Sequence, residues 1–202
     1  MTKIKFCGLS RPCDIEAANE LKPEYVGFVF AEKSKRYITS EKAKELKQLL
    51  DPEIKVVGVF VNEDPKRAAC LLNNDIIDIA QLHGCEDEDY IRRLRSLTDK
   101  PIIKAFRIET ARDIADAEVC TADYILLDSG AGTGTVFDWT LIQDIGKPYF
   151  LAGGLGTHNV ENAVKLLRPF AVDVSSGIET DGVKDKIKMT EFAAAVRKEK
   201  RL

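Results

Sequence analysis

The sequence predicts an α/β protein that forms one (β/α)8 barrel domain over residues 1–202. Short runs of β-branched and aromatic residues recur along the chain, and stretches with helical spacing separate them. Several of these runs, such as VGFVF and VVGVFV, are apolar at consecutive positions. This pattern is typical of parallel strands that are buried on both faces beneath a layer of helices. No linker or shift in composition divides the chain, which favours a single domain.

Eight strands are expected from the apolar runs. An open doubly wound sheet usually has fewer strands and often a glycine-rich first turn, whereas the first turn here is CGLSR and lacks GxGxxG. Eight units in about 200 residues sit at the lower limit for a TIM barrel, which we favour over the open sheet. The expected strands are Ile4 to Cys7, Tyr25 to Phe30, Lys55 to Val61, Ile79 to Leu82, Ile102 to Phe106, Tyr124 to Leu127, Tyr149 to Leu151 and Ala171 to Val174.

Helices are expected between the strands. In SEKAKELKQLL, Ala43, Leu46 and Leu50 fall on one face, with lysines and glutamates on the other. Asp64-Pro65 pairs a capping carboxylate with a first-turn proline, and Thr110-x-x-Asp113 resembles a capping box. The helix starts therefore agree with the periodicity.

Composition and charge narrow the class of partner. A net charge of −3 and a pI near 5.6 disfavour binding to nucleic acid or to an anionic membrane, and favour a small metabolite. The five cysteines are odd in number and form no CxxC pair, so we expect neither a disulfide framework nor a zinc site. No export signal and no run of about 18 apolar residues is present, so we expect a soluble cytoplasmic protein. The charged end VRKEKRL suggests no interface; this favours a monomer and leaves a dimer open.

In a barrel of this kind the active site lies at the carboxyl ends of the strands, where the βα loops converge. That rule reduces the search to the polar and reactive residues that follow each expected strand. They are Cys7, Glu32 to Arg36, Asn62, Gln81 with His83, Arg107, Asp128, Gly153 with Gly154, and Asp173 to Gly177.

Cys7 ends the first strand directly before Gly8, so its thiol is expected to point into the barrel mouth. A buried structural cysteine is the alternative. We expect positive charge or helix-terminal dipoles in the mouth to lower the pKa of Cys7 modestly, so that the thiol serves as a general base.

Asp128 ends the sixth strand after two leucines. Partial desolvation there would favour the protonated form that a general acid needs. An aspartate that caps the loop by accepting backbone N–H bonds would instead have a lowered pKa, and the residues alone leave both readings open.

Two late segments, LAGGLGTHN and DVSSGIE, are predicted to bind phosphate. Loops after strands 7 and 8 frequently form the phosphate site of such barrels, and glycines let backbone N–H groups approach an anion. Tight turns alone would also explain these glycines. The candidate residues are Gly153, Gly154, Asp173, Ser175, Ser176 and Gly177.

Arg36 lies in the basic cluster KSKR after the second strand. Such clusters are usually solvated, but arginine pairs with a planar carboxylate in a way that lysine does not, so an acidic substrate would explain it. His83 and Gln81 are as consistent with structural polar residues as with catalytic ones. We assign no catalytic role to His83 or to the other histidine, His158.

Seven segments carry a resemblance that spans nearly the whole chain. They are KIKFCGLSR, VGFVFAEKSKRYI, VGVFVNE, QLHGCE, LLDSGAGTGTVFDW, FLAGGL and VDVSSGIE. In order and spacing they resemble the phosphoribosylanthranilate isomerase family. One departure is Ala131, where the family often carries glycine, and the loop after Asp128 is short, which leaves that loop's geometry open.

The resemblance implies a cofactor-free Amadori rearrangement of N-(5-phospho-β-D-ribosyl)anthranilate. It implies that Asp128 protonates the furanose ring oxygen, that Cys7 removes the C2′ proton, and that Arg36 holds the anthranilate carboxylate. The two glycine-bearing segments would hold the 5′-phosphate. No metal is implied.

Two rival interpretations are disfavoured. The histidine-pathway isomerase performs the same rearrangement on a substrate with two phosphates by using a pair of aspartates, but the first strand here ends in Cys7. A non-catalytic phosphate-sensing barrel would keep the glycine loops without needing both a thiol and a carboxylate at strand ends.

Overall fold

The structure is a computed structural model that describes residues 1–128, 139–142 and 145–198. Eight parallel strands hydrogen-bond in chain order and close into a barrel, which confirms the predicted fold class. The strand positions are confirmed as well, with differences of at most one residue at an end. The strands are β1 (Lys3–Cys7), β2 (Tyr25–Val29), β3 (Lys55–Phe60), β4 (Ile79–Leu82), β5 (Ile102–Arg107), β6 (Tyr124–Asp128), β7 (Tyr149–Leu151) and β8 (Ala171–Val174).

Helices cover the outside of the barrel, and the expected helix starts are confirmed. Asp64 accepts a hydrogen bond from the Lys66 N–H, and Thr110 with Asp113 forms a capping box. The described helices are α1 (Pro12–Leu21), α2 (Ser40–Leu49), α3 (Pro65–Asn73), α4 (Glu88–Arg95), α5 (Ala111–Val119), α6 (Val160–Leu167) and α7 (Lys186–Arg197). Between β6 and β7 the described residues contain one short 3-10 turn, Trp139–Leu141.

Alternation along β1 shows how the strands serve two cores. Ile4 and Phe6 pack outward in the large cluster between strands and helices. Lys5 and Cys7 alternate with them and therefore face the barrel interior. Near the amino-terminal ends of the strands the interior is filled by aromatic rings whose centroids lie 5.1–5.8 Å apart. These rings belong to Tyr25, Tyr124, Phe150 and Phe170.

The segment after β8 contains a feature that the sequence did not predict. A 3-10 turn at Ser176–Ile178 leads into a two-stranded hairpin, β9 (Glu179–Thr180) and β10 (Val183–Lys184), before α7 begins. This hairpin brings Glu179 and Lys184 behind the strand ends, where both contribute to the site described below.

Candidate active site

A cavity of about 470 Å³ opens at the carboxyl ends of the strands. Every residue to which the sequence assigned a catalytic or binding role lines it, except Gly177. The lining residues are Cys7, Val29, Ala31, Ser34, Lys35, Arg36, Val59, Val61, Gln81, His83, Asp128, Ala152, Gly153, Gly154, Leu155, Asp173, Val174, Ser175 and Ser176.

Gly177 lies behind the cavity wall rather than on it. A Cβ at this position would stand 2.0 Å from the carbonyl oxygen of Leu155 and 3.0 Å from the Cα of Gly156. Gly177 therefore allows the loops after β7 and β8 to pack against each other.

Cys7 is buried at the end of β1, opposite Gly27 of β2. A Cβ on Gly27 would lie 2.7 Å from the Cys7 Sγ, so the glycine leaves room for the thiol. Burial raises the pKa of Cys7; the Lys5 ammonium opposes this, Asp173 adds to it, and Lys184 opposes it more weakly. The expected lowering of this pKa was therefore wrong, because desolvation outweighs the nearby positive charges.

Lys5 was missed at the sequence level, although it is fully buried beneath the cavity. Its Nζ donates to Asp173 Oδ2 at 2.7 Å and to Gln81 Oε1 at 2.8 Å, and it also interacts with the Cys7 thiol. Burial alone would lower the pKa of Lys5, but Asp173 and Cys7 raise it above its usual value. Lys5 is therefore a buried ammonium ion.

Arg36 reaches the cavity while holding a bidentate ion pair. Its Nε and Nη2 each donate to a carboxylate oxygen of Glu179 at 2.7 Å. Lys184 donates to Glu179 Oε1 at 2.5 Å and to the carbonyl oxygen of Ser175 at 2.9 Å, and the Ser175 hydroxyl donates to the Cys7 carbonyl oxygen. Burial would raise the pKa of Glu179, but the hydrogen bonds from Arg36 and Lys184 lower it, so this chain of contacts is charged.

Asp128 is the last residue of β6, and its carboxyl group faces the end of β4. Its Oδ2 is 3.3 Å from the Nε2 of His83, and His83 Nδ1 is 2.8 Å from Gln81 Nε2. His83 and Gln81, which the sequence left undecided, therefore contact the predicted acid and the buried Lys5. The loop that follows Asp128, including Ala131, lies outside the described residues.

The loop after β7 has the backbone that its glycines predicted. Gly153 and Gly154 adopt φ values of +83° and +62°, which residues with a side chain rarely adopt. Asn159 then bridges the loop, accepting from the Gly156 N–H at 2.9 Å and donating to the Gly154 carbonyl oxygen at 2.9 Å. The two hydrogen bonds of Asn159 stabilise the loop, and Gly153 and Gly154 line the cavity.

The model of the family described as "N-(5'phosphoribosyl)anthranilate (PRA) isomerase" matches residues 4–195. The chain belongs to this family. A relative named N-(5'-phosphoribosyl)anthranilate isomerase from Thermoanaerobacter sp. strain X514 is 46% identical over 204 residues, with 98% of each chain covered. One with the same name from Clostridium acetobutylicum is 45% identical over 207 residues, covering 98% of this chain and 99% of the relative.

Solved structures agree with the family assignment. The phosphoribosyl anthranilate isomerase of Thermotoga maritima superposes with a TM-score of 0.90 at 36% identity, covering 98% of this chain and 99% of that one. A phosphoribosyl anthranilate isomerase in complex with reduced 1-(o-carboxyphenylamino)-1-deoxyribulose 5-phosphate superposes with a TM-score of 0.87, at the same identity and coverage. The resemblance seen in the sequence is confirmed: the chain is an isomerase of tryptophan biosynthesis.

Sequence reasoning missed three charged residues beneath or behind the cavity wall, namely Lys5, Glu179 and Lys184. Lys5 had a usable signal in its alternation with Ile4 and Phe6, and Glu179 ends the quoted segment DVSSGIE, whereas Lys184 had none. Among the residues described, every helix falls short of the length and apolar character that a bilayer-spanning segment needs.

Proposed function

We propose that this barrel catalyses, as a single cytoplasmic domain without a cofactor, the Amadori rearrangement of N-(5-phospho-β-D-ribosyl)anthranilate to 1-(2-carboxyphenylamino)-1-deoxy-D-ribulose 5-phosphate. The observation that carries the proposal is the placement of a thiol and a carboxyl group, Cys7 and Asp128, on strands β1 and β6 of one cavity. An aldose-to-ketose shift needs an acid and a base at different points of the sugar. The compound bound in the relative's complex is a reduced form of this product, which supports the choice of substrate.

The reaction begins at Asp128 in this proposal. Its carboxyl group gives a proton to the furanose ring oxygen, the bond from that oxygen to C1′ breaks, and the anilino nitrogen supplies the electron pair that forms a Schiff base. The Cys7 thiolate then takes the proton from C2′. The electron pair left behind forms the C1′–C2′ double bond of an enolamine and neutralises the nitrogen, and the enolamine tautomerises to the ketone.

Cys7 acts as a base only after its thiol has lost a proton. Burial opposes that loss, and the Lys5 ammonium is the largest of the neighbours that favour it. The buried charge of Lys5 therefore stabilises the thiolate, and Lys184 adds a smaller contribution from the other side.

Substrate binding in this proposal uses the two ends of the cavity. Arg36 holds the anthranilate carboxylate, while its pairing with Glu179 fixes the plane of the guanidinium group. The 5′-phosphate lies against the backbone N–H groups of the loops after β7 and β8. Those loops contain Gly153, Gly154, Asp173, Ser175, Ser176 and Gly177.

The test of the mechanism is a fluorescence assay that follows consumption of freshly generated phosphoribosylanthranilate. We expect Cys7→Ser and Asp128→Asn each to lower the rate by about two or more orders of magnitude, because each removes a group that transfers a proton. Cys70→Ser is the control, since Cys70 is an exposed thiol on α3, and should retain full activity. Wild-type turnover that survived both substitutions would disprove these roles, and no wild-type turnover would redirect the search to the bisphosphate substrate or a sensor.

The phosphate loop has a matched test in two glycines with positive φ. Gly154→Ala, at φ +62° on the cavity wall, should raise KM about ten-fold, as a loss of about 1.4 kcal/mol of binding free energy would. Gly182→Ala, at φ +79° in the β9–β10 turn with open space around it, should have similar backbone strain but leave KM unchanged. Equal changes in KM for the two variants would contradict this phosphate site.

A further inference from the structure

A line of side-chain contacts crosses the cavity floor from Lys5 to Asp128, and the direction of its hydrogen bonds can be deduced from chemistry. Lys5 Nζ lies 2.8 Å from the side-chain oxygen of Gln81. An ammonium group only donates, so the Gln81 atom that faces it must be the carbonyl oxygen rather than the amide nitrogen. The buried Lys5 therefore fixes the orientation of the Gln81 amide.

The orientation of Gln81 in turn determines where His83 holds its proton. With Oε1 on Lys5, the Gln81 Nε2 lies 2.8 Å from His83 Nδ1. An amide NH2 only donates, so Nδ1 must accept and must be unprotonated. A neutral imidazole of this kind has its proton on Nε2, and Nε2 is the atom that lies 3.3 Å from Asp128 Oδ2.

We propose that Lys5 and Gln81 hold His83 as the neutral Nε2–H tautomer, so that His83 is a positioning residue that donates to Asp128. This inference deepens the proposed function and rests on it, since it assigns a partner to the proposed acid. When Asp128 releases its proton, the new carboxylate lies 3.3 Å from His83 Nε2, which can then donate to it and stabilise that charge.

The line also links the proposed acid to the proposed base. Lys5 interacts with the Cys7 thiol as well as with Gln81, so its one buried charge acts at both ends of the site. At the base it stabilises a thiolate, and at the acid it determines, through two neutral side chains, which nitrogen of His83 is protonated. A charge at Lys5 is therefore needed for the whole arrangement.

The tautomer can be measured directly, without substrate. The chain has two histidines, and His158 is exposed in the loop after β7, so His158→Gln leaves His83 as the sole histidine whose ring nitrogens are observed. In long-range ¹H–¹⁵N correlation spectra of this variant at neutral pH, we expect Nδ1 to be unprotonated and Nε2 protonated. A spectrum with protonated Nδ1, or with both nitrogens averaged between tautomers, would overturn the proposal.

Two substitutions of Gln81 test the consequence for Asp128. Gln81→Glu places acceptors on both oxygens, so one still accepts from Lys5 and the other can only accept from His83 Nδ1; the spectrum should switch to protonated Nδ1. Gln81→Met removes the amide without adding charge and should average the tautomers. In both variants we expect kcat to fall by about 10- to 100-fold with KM nearly unchanged, the size that a misplaced catalytic group produces.

The outcomes distinguish this inference from the proposed function. Wild-type spectra with the Nε2–H tautomer, together with unchanged kcat in a folded Gln81→Met, would refute the positioning role. If wild-type protein does not consume phosphoribosylanthranilate, the proposed function fails while the spectra still decide the tautomer. Thermal unfolding of each Gln81 variant shows whether a lost rate reflects lost folding.

Discussion

Two lysine–carboxylate pairs are buried in this barrel, Lys104 with Glu86 and Lys5 with Asp173, and they differ in how their oxygens are satisfied. Both lysines are buried. Lys104 donates to Glu86 Oε2 at 3.2 Å and to the Gly84 carbonyl oxygen at 2.7 Å. Glu86 also accepts from the Asn62 N–H at 2.6 Å and the Gly84 N–H at 2.7 Å. This pair ties the loop after β3 to the loop after β4.

The Lys5 pair is less complete and lies against the cavity. Asp173 accepts from Lys5 through Oδ2, whereas no described residue donates a hydrogen bond to its buried Oδ1. Lys5 has further contacts, but these go to Gln81 and to the Cys7 thiol rather than to the backbone.

The difference separates a structural ion pair from one that serves chemistry. A buried charge is costly unless its hydrogen-bonding capacity is satisfied, so a pair that is fully bonded to backbone is explained by folding alone. A pair that leaves an oxygen unsatisfied beside the Cys7 thiol is not explained by folding alone, which is consistent with the proposed role of Lys5. We therefore expect substitutions in both pairs to reduce stability, but only substitutions at Lys5 to reduce turnover strongly.

The largest effect on turnover is expected for Lys5→Met. Removing the ammonium leaves Asp173 as an uncompensated buried charge, which typically costs about 3–5 kcal/mol, and removes the charge that stabilises the Cys7 thiolate. Turnover should fall by about two or more orders of magnitude, as expected for loss of the proposed base, Cys7. Urea unfolding and the isomerase assay measure the two consequences separately.

The double variant Lys5→Met/Asp173→Leu sharpens this prediction. Replacing a buried ion pair by apolar residues of similar volume is often neutral for stability, so the double variant should recover most of the lost free energy of unfolding. Turnover should not recover, because Cys7 still lacks its ammonium neighbour. An active double variant would show that Lys5 has only a structural role, as we expect for Lys104.

The next effect is a dependence of turnover on pH. Cys7 must be deprotonated to act as a base, and burial raises its pKa above the ordinary value of a cysteine. In Asp128→Asn the proposed acid no longer titrates, so the residual kcat/KM should follow the thiolate fraction and increase about ten-fold per pH unit below that pKa. A flat residual profile from neutral pH upward in this variant, unchanged when His158→Gln is added to exclude the exposed histidine, would contradict the assignment of the base.

The sequence predicted more of the fold than of the charges around the site. Apolar strand patterns fix strands within one residue, and the strand-end rule places Cys7 and Asp128 at the same mouth. The direction of the Cys7 pKa was wrong because it depends on a balance between burial and neighbours that only the closed barrel brings together.

Contacts between strands that are distant in sequence were the hardest to foresee. His83 meets Asp128 only because the barrel curves β4 towards β6, and nothing local to QLHG indicates that pairing. Glu179 and Lys184 lie on strands of two residues each, which are too short for any periodicity to mark. Lys5 could have been found, since a lysine alternating with buried apolar residues in a barrel strand must face the interior.

The smallest effect on turnover is expected for Lys104→Met, although its effect on stability should be as large as that of Lys5→Met. Glu86 is left as a buried charge at a cost of about 3–5 kcal/mol, but Lys104 is not among the residues that line the cavity, so turnover per folded molecule should remain within about two-fold of wild type. Here the apolar double variant Lys104→Met/Glu86→Leu should fail to restore stability, because it orphans the Asn62 and Gly84 N–H groups. Rescue of stability in this double variant, or a large loss of turnover in Lys104→Met, would show that the two buried pairs do not differ in role.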